Sequence, residues 1–502
     1  MRALFCMSGP DEMNGPNAWL VRHLPRLRLL GVDAQLLYVT RRSGVPCRFR
    51  RKLSESGVPI IDVNLGRYTE KDVEAVCRGV ASVEADVFSP NCFLPAYYAC
   101  RYVREWGVAT IGVLHSDDPY YSDIVEMFID GDPAWRLSGV AVVSRYLGSW
   151  LESASRVGLP TMYAPCGVPV PERAARREPG MPFRVVYSGR LVERQKRISR
   201  VVAHLVRTVG ACDCVEAVIY GDGSAAADVA ETVRSCGLGA RLRMAGGLDP
   251  DGVLDAMQSA HAMVQLSEYE GLSISLLEAM ACGVVPIVAR TRSGFEDVLR
   301  EGENCLVVES DDEDSVRRAT LALVEDPETW SRLSRCARAS VSDARLTSEE
   351  CAARWKRFLD SCAVVNGRLA TPTLPRALDI VLPPLTASGG GIARVDARGP
   401  RDLIRRLVME ARPVFVWGTG EAGRAFVREC SVGDLRFEGW IDSDSRKTGT
   451  FVDGARVQGP EVLRTGKAGA RPFVFVASMY HTQIVPHLVD WGFEARRDFL
   501  VV

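Results

Sequence analysis

Lysine is scarce in this chain. Six lysines (Lys52, Lys71, Lys196, Lys356, Lys447 and Lys467) stand against 56 arginines among 502 residues. Net charge is nearly absent too: 62 basic and 63 acidic residues leave a formal charge of −1. This balance argues against a broadly basic nucleic-acid binder, and no nucleic-acid partner is expected. With 47% hydrophobic and 25% charged residues, a disordered chain is excluded as well. No uninterrupted apolar run reaches the ~18 residues that a membrane span requires. The opening MRALFCMSGPDE breaks into Gly-Pro-Asp too early for a secretory h-region, so a cytoplasmic setting is expected. No Cys-x-x-Cys occurs among the 15 cysteines, and the tightest pair is Cys212-Asp-Cys214. Their odd number predicts reduced, mostly buried thiols and no zinc site.

What is present is a repeated alternation of strands and helices. The length suggests about three domains at roughly 150 residues each. Short β-branched runs at 3–7, 34–38, 59–63, 85–88, 110–114 and 139–143 alternate with amphipathic stretches such as 18–30 and 71–80. After the proline- and charge-rich segment 168–180 a second series begins, with strands expected at 183–187, 215–220, 262–266 and 284–288. Alternation of this kind predicts parallel βαβ units. The fold class is therefore α/β, with two doubly wound Rossmann-like domains over 1–170 and 171–365. A linker rich in proline and glycine follows at 366–402, and a third, small Rossmann-like unit at 403–502. Paired doubly wound domains place ligands in a cleft facing the carboxyl ends of both sheets.

The most informative stretch is LSEYEGLSISLLEAMACG, Leu266–Gly283. A strand ends at Ser267, a turn carries Glu268 and Glu270, and a helix begins near Ser273. The free amides of that first helical turn suit phosphate oxygens. One carboxylate, Glu270, sits in the loop and a second, Glu278, lies inside the helix. Together they could accept hydrogen bonds from a sugar and from the two hydroxyls of a ribose. The same residues could instead merely favour a helix N-terminus, with Glu278 facing solvent. A second stretch, YSGRLVERQKRISR (Tyr187–Arg200), brings Arg190 and Lys196 to the same strand-end face, where they could neutralise a departing diphosphate. Its alternative reading is an ordinary basic helical face. His115, in VLHSDDPY, ends a first-domain strand and would face the cleft, or else pack as part of a helix start at Asp117, Asp118 and Pro119. Asn14-Gly15-Pro16, in the turn after the first strand, and Gly221-Asp222-Gly223 are further candidate approach points for a ligand.

These residues together resemble the retaining glycosyltransferases of family 4, which have the GT-B fold. Glu270 and Glu278 match the family's E-x7-E pattern. The agreement takes in EGLSISLLEAMACG, the GRL…QK segment, YGDGS, HSDD and VSRYL, in the family's order over about residues 1–362. The resemblance implies donor phosphates held by Arg190 and Lys196, with Gly15 and Ser273 also at the donor site. Ribose would be held by Glu278 and the transferred sugar by Glu270, with His115 near the reacting centre. It also implies a final helix at 349–358 packed back on the first domain. Two departures stand out: Arg197 occupies a place where glycine is common, and Asn304-Cys305 replaces a frequent Asn-Gly. The implied donor is a nucleoside diphosphate sugar, with no obligatory cofactor or metal. The Asp-x-Asp triplets Asp249-Pro-Asp251 and Asp442-Ser-Asp444 read as a helix start and as a feature outside the transferase region.

The acceptor is expected to be a glycan or a lipid-linked sugar of bacterial polysaccharide or lipopolysaccharide assembly. The basic region Arg41–Lys52, together with Arg22, Arg26 and Arg28, could meet an anionic membrane surface on the cytoplasmic face, or could be a solvated loop. In the third domain, VFVWGTGEAGRAF sets Gly418, Gly420 and Gly423 in a G-x-G-x-x-G turn. Asp442 lies near the offset of a ribose-binding acid. That unit reads either as a nucleotide-binding module or as a docking domain, and His481 could face its crevice. Two rival functions stay open: a non-catalytic GT-B scaffold, and a bifunctional enzyme with a nucleotide-cofactor activity in the third domain.

Overall fold

The computed structural model describes residues 1–9, 15–41, 47–66, 68–178, 180–365, 372–383, 400–429, 435–464, 471–478, 480–495 and 497–502. Asn14, much of the basic loop and most of the segment 366–402 lie outside these residues. Contacts divide the chain into two compact units, one holding the sheets up to Val308 and the other holding the last sheet.

Seven parallel strands build the first sheet: β1 (Arg2–Ser8), β2 (Asp33–Thr40), β3 (Ile60–Asn64), β4 (Val87–Ser89), β5 (Ala109–Leu114), β6 (Gly139–Val142) and β7 (Thr161–Tyr163). Their order is β3-β2-β1-β4-β5-β6-β7, so the direction of winding reverses between β1 and β4. The second sheet comprises β8 (Phe183–Ser188), β9 (Val215–Tyr220), β10 (Leu242–Gly246), β11 (Ala262–Gln265), β13 (Val285–Ala289) and β15 (Leu306–Val308), and it reverses between β8 and β11. Two short strands, β12 (Tyr269–Glu270) and β14 (Arg292–Ser293), pair separately beyond the carboxyl end of β11. Ligands of doubly wound sheets bind at such reversal points.

Burial on both faces explains the continuous apolar runs of these strands. Along β8, Val185 and Tyr187 face a core with Leu205 and Val264, while the intervening Val186 faces the opposite core with Val218, Met263 and Ala279. The chain crosses back to the first sheet at helix Ser348–Val365. There Trp355 meets Phe5 and Trp19 at ring separations of 5.7 and 5.5 Å, and Glu349 pairs with Arg26 at 2.8 Å. Both tryptophans are almost wholly buried, so this helix closes the first lobe with aromatic surface.

The second unit carries β16 (Val414–Trp417), β17 (Phe437–Ile441), β18 (Phe451–Val452), β19 (Ala455–Gln458), β20 (Phe473–Val476) and β21 (Phe499–Val501), ordered β18-β19-β17-β16-β20-β21. Only the β18–β19 pair is antiparallel among the described strands. Helix Pro400–Met409 begins inside the stretch expected to be linker.

The cysteine expectation needs one correction. Cys212 and Cys214 form a disulfide, with Cα atoms 5.4 Å apart, because the turn before β9 brings them within bridging range. Of the other cysteines described, nine are buried.

Candidate functional site

Residues expected at the site converge on one cavity of about 720 Å³ between the carboxyl ends of the first two sheets. Gly15 and His115 line it from the first lobe; Arg190, Lys196, Glu270, Ser273 and Glu278 line it from the second.

The two stretches of the second lobe clamp each other. The amide of Glu268 donates to the Gln195 carbonyl at 2.8 Å, and Gln195 Nε2 donates to the Tyr269 carbonyl at 3.3 Å. Arg197 pairs with Glu268, and Lys196 pairs with Glu270. The Lys196–Glu270 pair is largely buried, with side-chain exposures of 11% and 7%. Gln265 Nε2 donates a further bond to Glu270 Oε1 at 2.8 Å. Thus Glu270 is fixed by an amide and an ammonium, and the basic segment is more than a solvated face. Arg190 lies at the exposed rim, bonded to Gln195 Oε1. Arg197 adopts a left-handed backbone, φ 49°, which is the physical reason glycine suits that place.

Ser273 caps helix Ile274–Ala281, accepting a bond from the Leu276 amide at 3.3 Å. Its hydroxyl therefore serves the helix start, while the first-turn amides adjoin the cavity. Gly271 allows the lobes to meet: a Cβ there would overlap the His115 carbonyl oxygen. Glu278 does not face solvent. It is buried and ion-paired at 2.5 Å with Arg22 of helix Gly15–Leu29, a residue expected only on a basic face toward lipid headgroups. Burial raises the Glu278 carboxyl above its ordinary range, and Arg22 opposes that rise.

The stretch after β5 combines both of its readings. Asp118 accepts bonds from the Tyr120 and Tyr121 amides and starts helix Pro119–Val125. Asp117 accepts from the Tyr146 hydroxyl and pairs with Arg292 across the lobes, each at 2.6 Å. His115 lines the cavity and bonds through Nε2 to Asn91 Oδ1 at 2.8 Å. Burial lowers the His115 pKa to about 4, which keeps the ring neutral at physiological pH. Asn91 was also missed; it is wholly buried and held at φ 48°. Asparagine is enriched at left-handed backbone positions generally, which is the one sequence signal it offered.

Three charges in the described part of the basic region have partners within the first unit. Arg50 pairs with Asp62 at 2.6 Å, Lys52 meets Asp249 and Asp251 at 3.4 and 3.0 Å, and Arg48 donates to the Gly247 carbonyl at 3.3 Å. Asp249 also caps helix Pro250–Gln258, so this Asp-x-Asp triplet is occupied. None of the described helices is long and apolar enough to cross a membrane.

In the second unit, Gly423 packs so closely on the turn that a Cβ would overlap the Gly418 carbonyl oxygen, whereas Gly420 faces open space. Asp442 reaches this turn, but its carboxylate is engaged. One oxygen accepts from Thr419 and, at 2.9 Å, from Lys447; the other accepts from the Asp444 amide at 3.0 Å. His481 starts helix His481–Asp490 and bonds locally to the Ser478 carbonyl at 3.3 Å.

The chain is similar to known proteins in sequence and in fold. Residues 171–340 match the family described as "Glycosyl transferases group 1". Over 146 residues the chain is 29% identical to N-acetyl-alpha-D-glucosaminyl L-malate synthase of Bacillus anthracis, covering 29% of this chain and 37% of that protein. Over 145 residues it is 32% identical to phosphatidyl-myo-inositol mannosyltransferase of Mycolicibacterium smegmatis, covering 28% and 36%. The chain thus spans just over a third of the length of these curated relatives. Among solved structures, sucrose-phosphate synthase from Thermosynechococcus elongatus aligns with a TM-score of 0.60 at 17% identity, covering 72% of this chain and 99% of that one. HepE of Anabaena, solved with UDP-glucose, gives 0.59 at 16% identity, covering 72% and 100%. These likenesses show the fold, two facing Rossmann-like lobes.

Proposed function

We propose that this chain, which carries a glycosyl transferases group 1 domain within a GT-B fold, is a retaining glycosyltransferase of family 4. It moves a hexose-type sugar from a nucleoside diphosphate donor to a glycan or lipid-linked acceptor. The observation that carries this reading is the buried Lys196–Glu270 pair, which shares one cavity wall with Arg190 and Glu278. Residues 1–170 form the acceptor side and 171–365 the donor side.

In this reading Arg190, Lys196 and the amides after Ser273 receive the diphosphate, Glu278 accepts from the ribose and Glu270 from the transferred sugar. His115 and Gly15 bound the sugar from the opposite lobe. The bond between the anomeric carbon and the diphosphate oxygen breaks, and the diphosphate leaves with the electron pair. The acceptor oxygen bonds the same carbon on the same face, and its proton passes to a phosphate oxygen. Charge stabilisation and positioning are the protein's share of the catalysis. Retention here needs no second carboxylate placed as in a retaining glycosidase.

HepE was solved with UDP and with UDP-glucose, so UDP leads the test panel. In a thermal-shift series of UDP, GDP, ADP and CDP, one nucleotide stabilises the full chain, and EDTA leaves the shift unchanged. Loss of the shift with EDTA would refute charge neutralisation by Arg190 and Lys196 alone. Glu270→Ala lowers transfer by about 10²–10³-fold with the fold intact, and Lys196→Ala weakens nucleotide diphosphate binding about tenfold or more. Unchanged turnover in the first variant, or unchanged affinity in the second, sinks the assigned role. A scaffold without catalysis predicts no donor turnover at all.

A bacterial polysaccharide or lipopolysaccharide pathway at the cytoplasmic face fits a lipid-linked acceptor. Sedimentation of the full chain with anionic vesicles tests the membrane part, and sedimentation equal to that with neutral vesicles removes it. For the second unit we favour docking over dinucleotide binding, because the Asp442 carboxylate is already taken by Thr419, Lys447 and Asp444. A nucleotide shift that survives Arg190→Ala, Lys196→Ala and Glu278→Gln combined would move a nucleotide site to the Gly418–Gly423 turn.

A further inference from the structure

We infer that Arg22 is a positioning residue for ribose recognition, holding Glu278 from the opposite lobe so that one carboxylate oxygen stays turned to the cavity. The inference rests on the reading of Glu278 as the ribose acceptor. Arg22 stands on the buried face of helix Gly15–Leu29, between Leu20 and Leu24, and its side chain is 7% exposed. Its Nη1 lies 2.5 Å from Glu278 Oε1, and its Nη2 donates to the Pro250 carbonyl at 3.1 Å. One guanidinium therefore ties together three helices: Gly15–Leu29, Pro250–Gln258 and Ile274–Ala281.

Stability alone gives little reason for such a pair. A buried ion pair is often no more stabilising than apolar side chains of the same volume. The arrangement has another consequence. Glu278 lines the cavity whereas Arg22 lies behind it, and no hydrogen bond to Glu278 Oε2 is present among the described residues. The carboxylate is thus anchored at one oxygen, leaving the other to accept from a ligand. Burial would otherwise favour the neutral acid, which is a poorer acceptor for two hydroxyls, and Arg22 supplies the opposing charge. Other charged or titratable groups in the neighbourhood are Cys282 at the C-terminal cap of the same helix, Asp255 on helix Pro250–Gln258 and Arg338 on helix Pro327–Asp343. None of these replaces Arg22 as the direct partner of Glu278. Because the pair crosses the lobes, ribose recognition also depends on the lobes standing together.

The test compares UDP with 2′-deoxy-UDP by calorimetric titration of the full chain at about pH 6 and about pH 8.5. Their affinity ratio isolates the ribose hydroxyl, because phosphate titration affects both ligands equally. Wild type should prefer UDP by about tenfold at both pH values, the scale of one charge-assisted hydrogen bond. Arg22→Gln should lose that preference at the lower pH and regain part of it at the higher, while Arg22→Lys keeps most of it. A general structural defect would weaken both ligands and leave their ratio unchanged. A wild-type ratio in Arg22→Gln at both pH values overturns the inference. If Arg22→Gln does not fold, the uncharged, similarly sized Arg22→Met takes its place: a ratio lost at the lower pH supports the inference, and a wild-type ratio at both pH values overturns it. Glu278→Gln separates the two layers. If it keeps the wild-type ratio, the ribose reading itself fails; if it loses the ratio while Arg22→Gln keeps it, only the Arg22 role fails.

Discussion

The Asn91–His115 contact sets the chemistry of the cavity's first-lobe wall at the level of a single hydrogen bond. Asn91 holds the imidazole through Nε2, and burial keeps the ring neutral with its pKa lowered to about 4. Replacing the amide by a carboxylate reverses this balance, because a negative charge beside the ring favours imidazolium. Asn91→Asp should therefore raise the His115 pKa and add a titrating limb to kcat between about pH 5 and pH 8, where the wild type is level. A level profile in the variant would separate His115 from the reacting centre. Neither Asn91 nor Arg22 was legible as a site residue. Each acts through a partner on another element, 24 positions away for Asn91 and on the opposite lobe for Arg22. By contrast, Arg190, Lys196 and Glu270 stood out as charges gathered after strand ends, and Glu278 through its E-x7-E spacing from Glu270.

Among elements, the loop joining β12 to helix Ile274–Ala281 is tightly constrained by its neighbours. Gly271 abuts the His115 backbone, and its carbonyl accepts from the Gly294 amide at 2.8 Å. Gly271→Ala should push the lobes apart, lowering thermal stability by the equivalent of about 1–3 kcal/mol and reducing kcat together with nucleotide affinity. An unaltered melting temperature and turnover would show that the lobes need not meet there. Strand legibility followed burial. Central strands such as β8, β9 and β13 are mostly apolar and buried, with Arg184 and Glu216 as the charged positions of the first two, and stood out in the sequence. The edge strands β7, β10 and β15 did not. Two are only three residues long, and β10 carries Arg243 on an exposed position, so neither length nor pattern distinguishes them from loops.

Over the whole molecule, buried histidines bias the chain against acid. His23 falls to about 3, and His115 and His261 to about 4, each chiefly through burial. Their unfolded values lie near 6.5. Between that value and the folded ones, the unfolded chain takes up protons that the folded chain does not. The stability these neutral rings contribute is present above about pH 6.5 and is lost as pH falls toward 4. The urea midpoint should accordingly be lower at about pH 5 than at pH 7, and His261→Gln, at the bond to the Arg184 amide, should make that decline shallower. Equal midpoints at the two pH values would refute the argument.

The ring cluster beneath the cavity has an optical consequence. Trp19 stacks on His23 at 5.0 Å and stands edge-on to His115 at 5.7 Å, so one indole adjoins the cavity-lining imidazole. Filling the cavity changes the field around that indole, and the chain contains its own fluorophore for occupancy. Among nine tryptophans, Trp19→Phe identifies the emitter: the ligand-dependent part of the emission disappears with it, while the remaining spectrum persists.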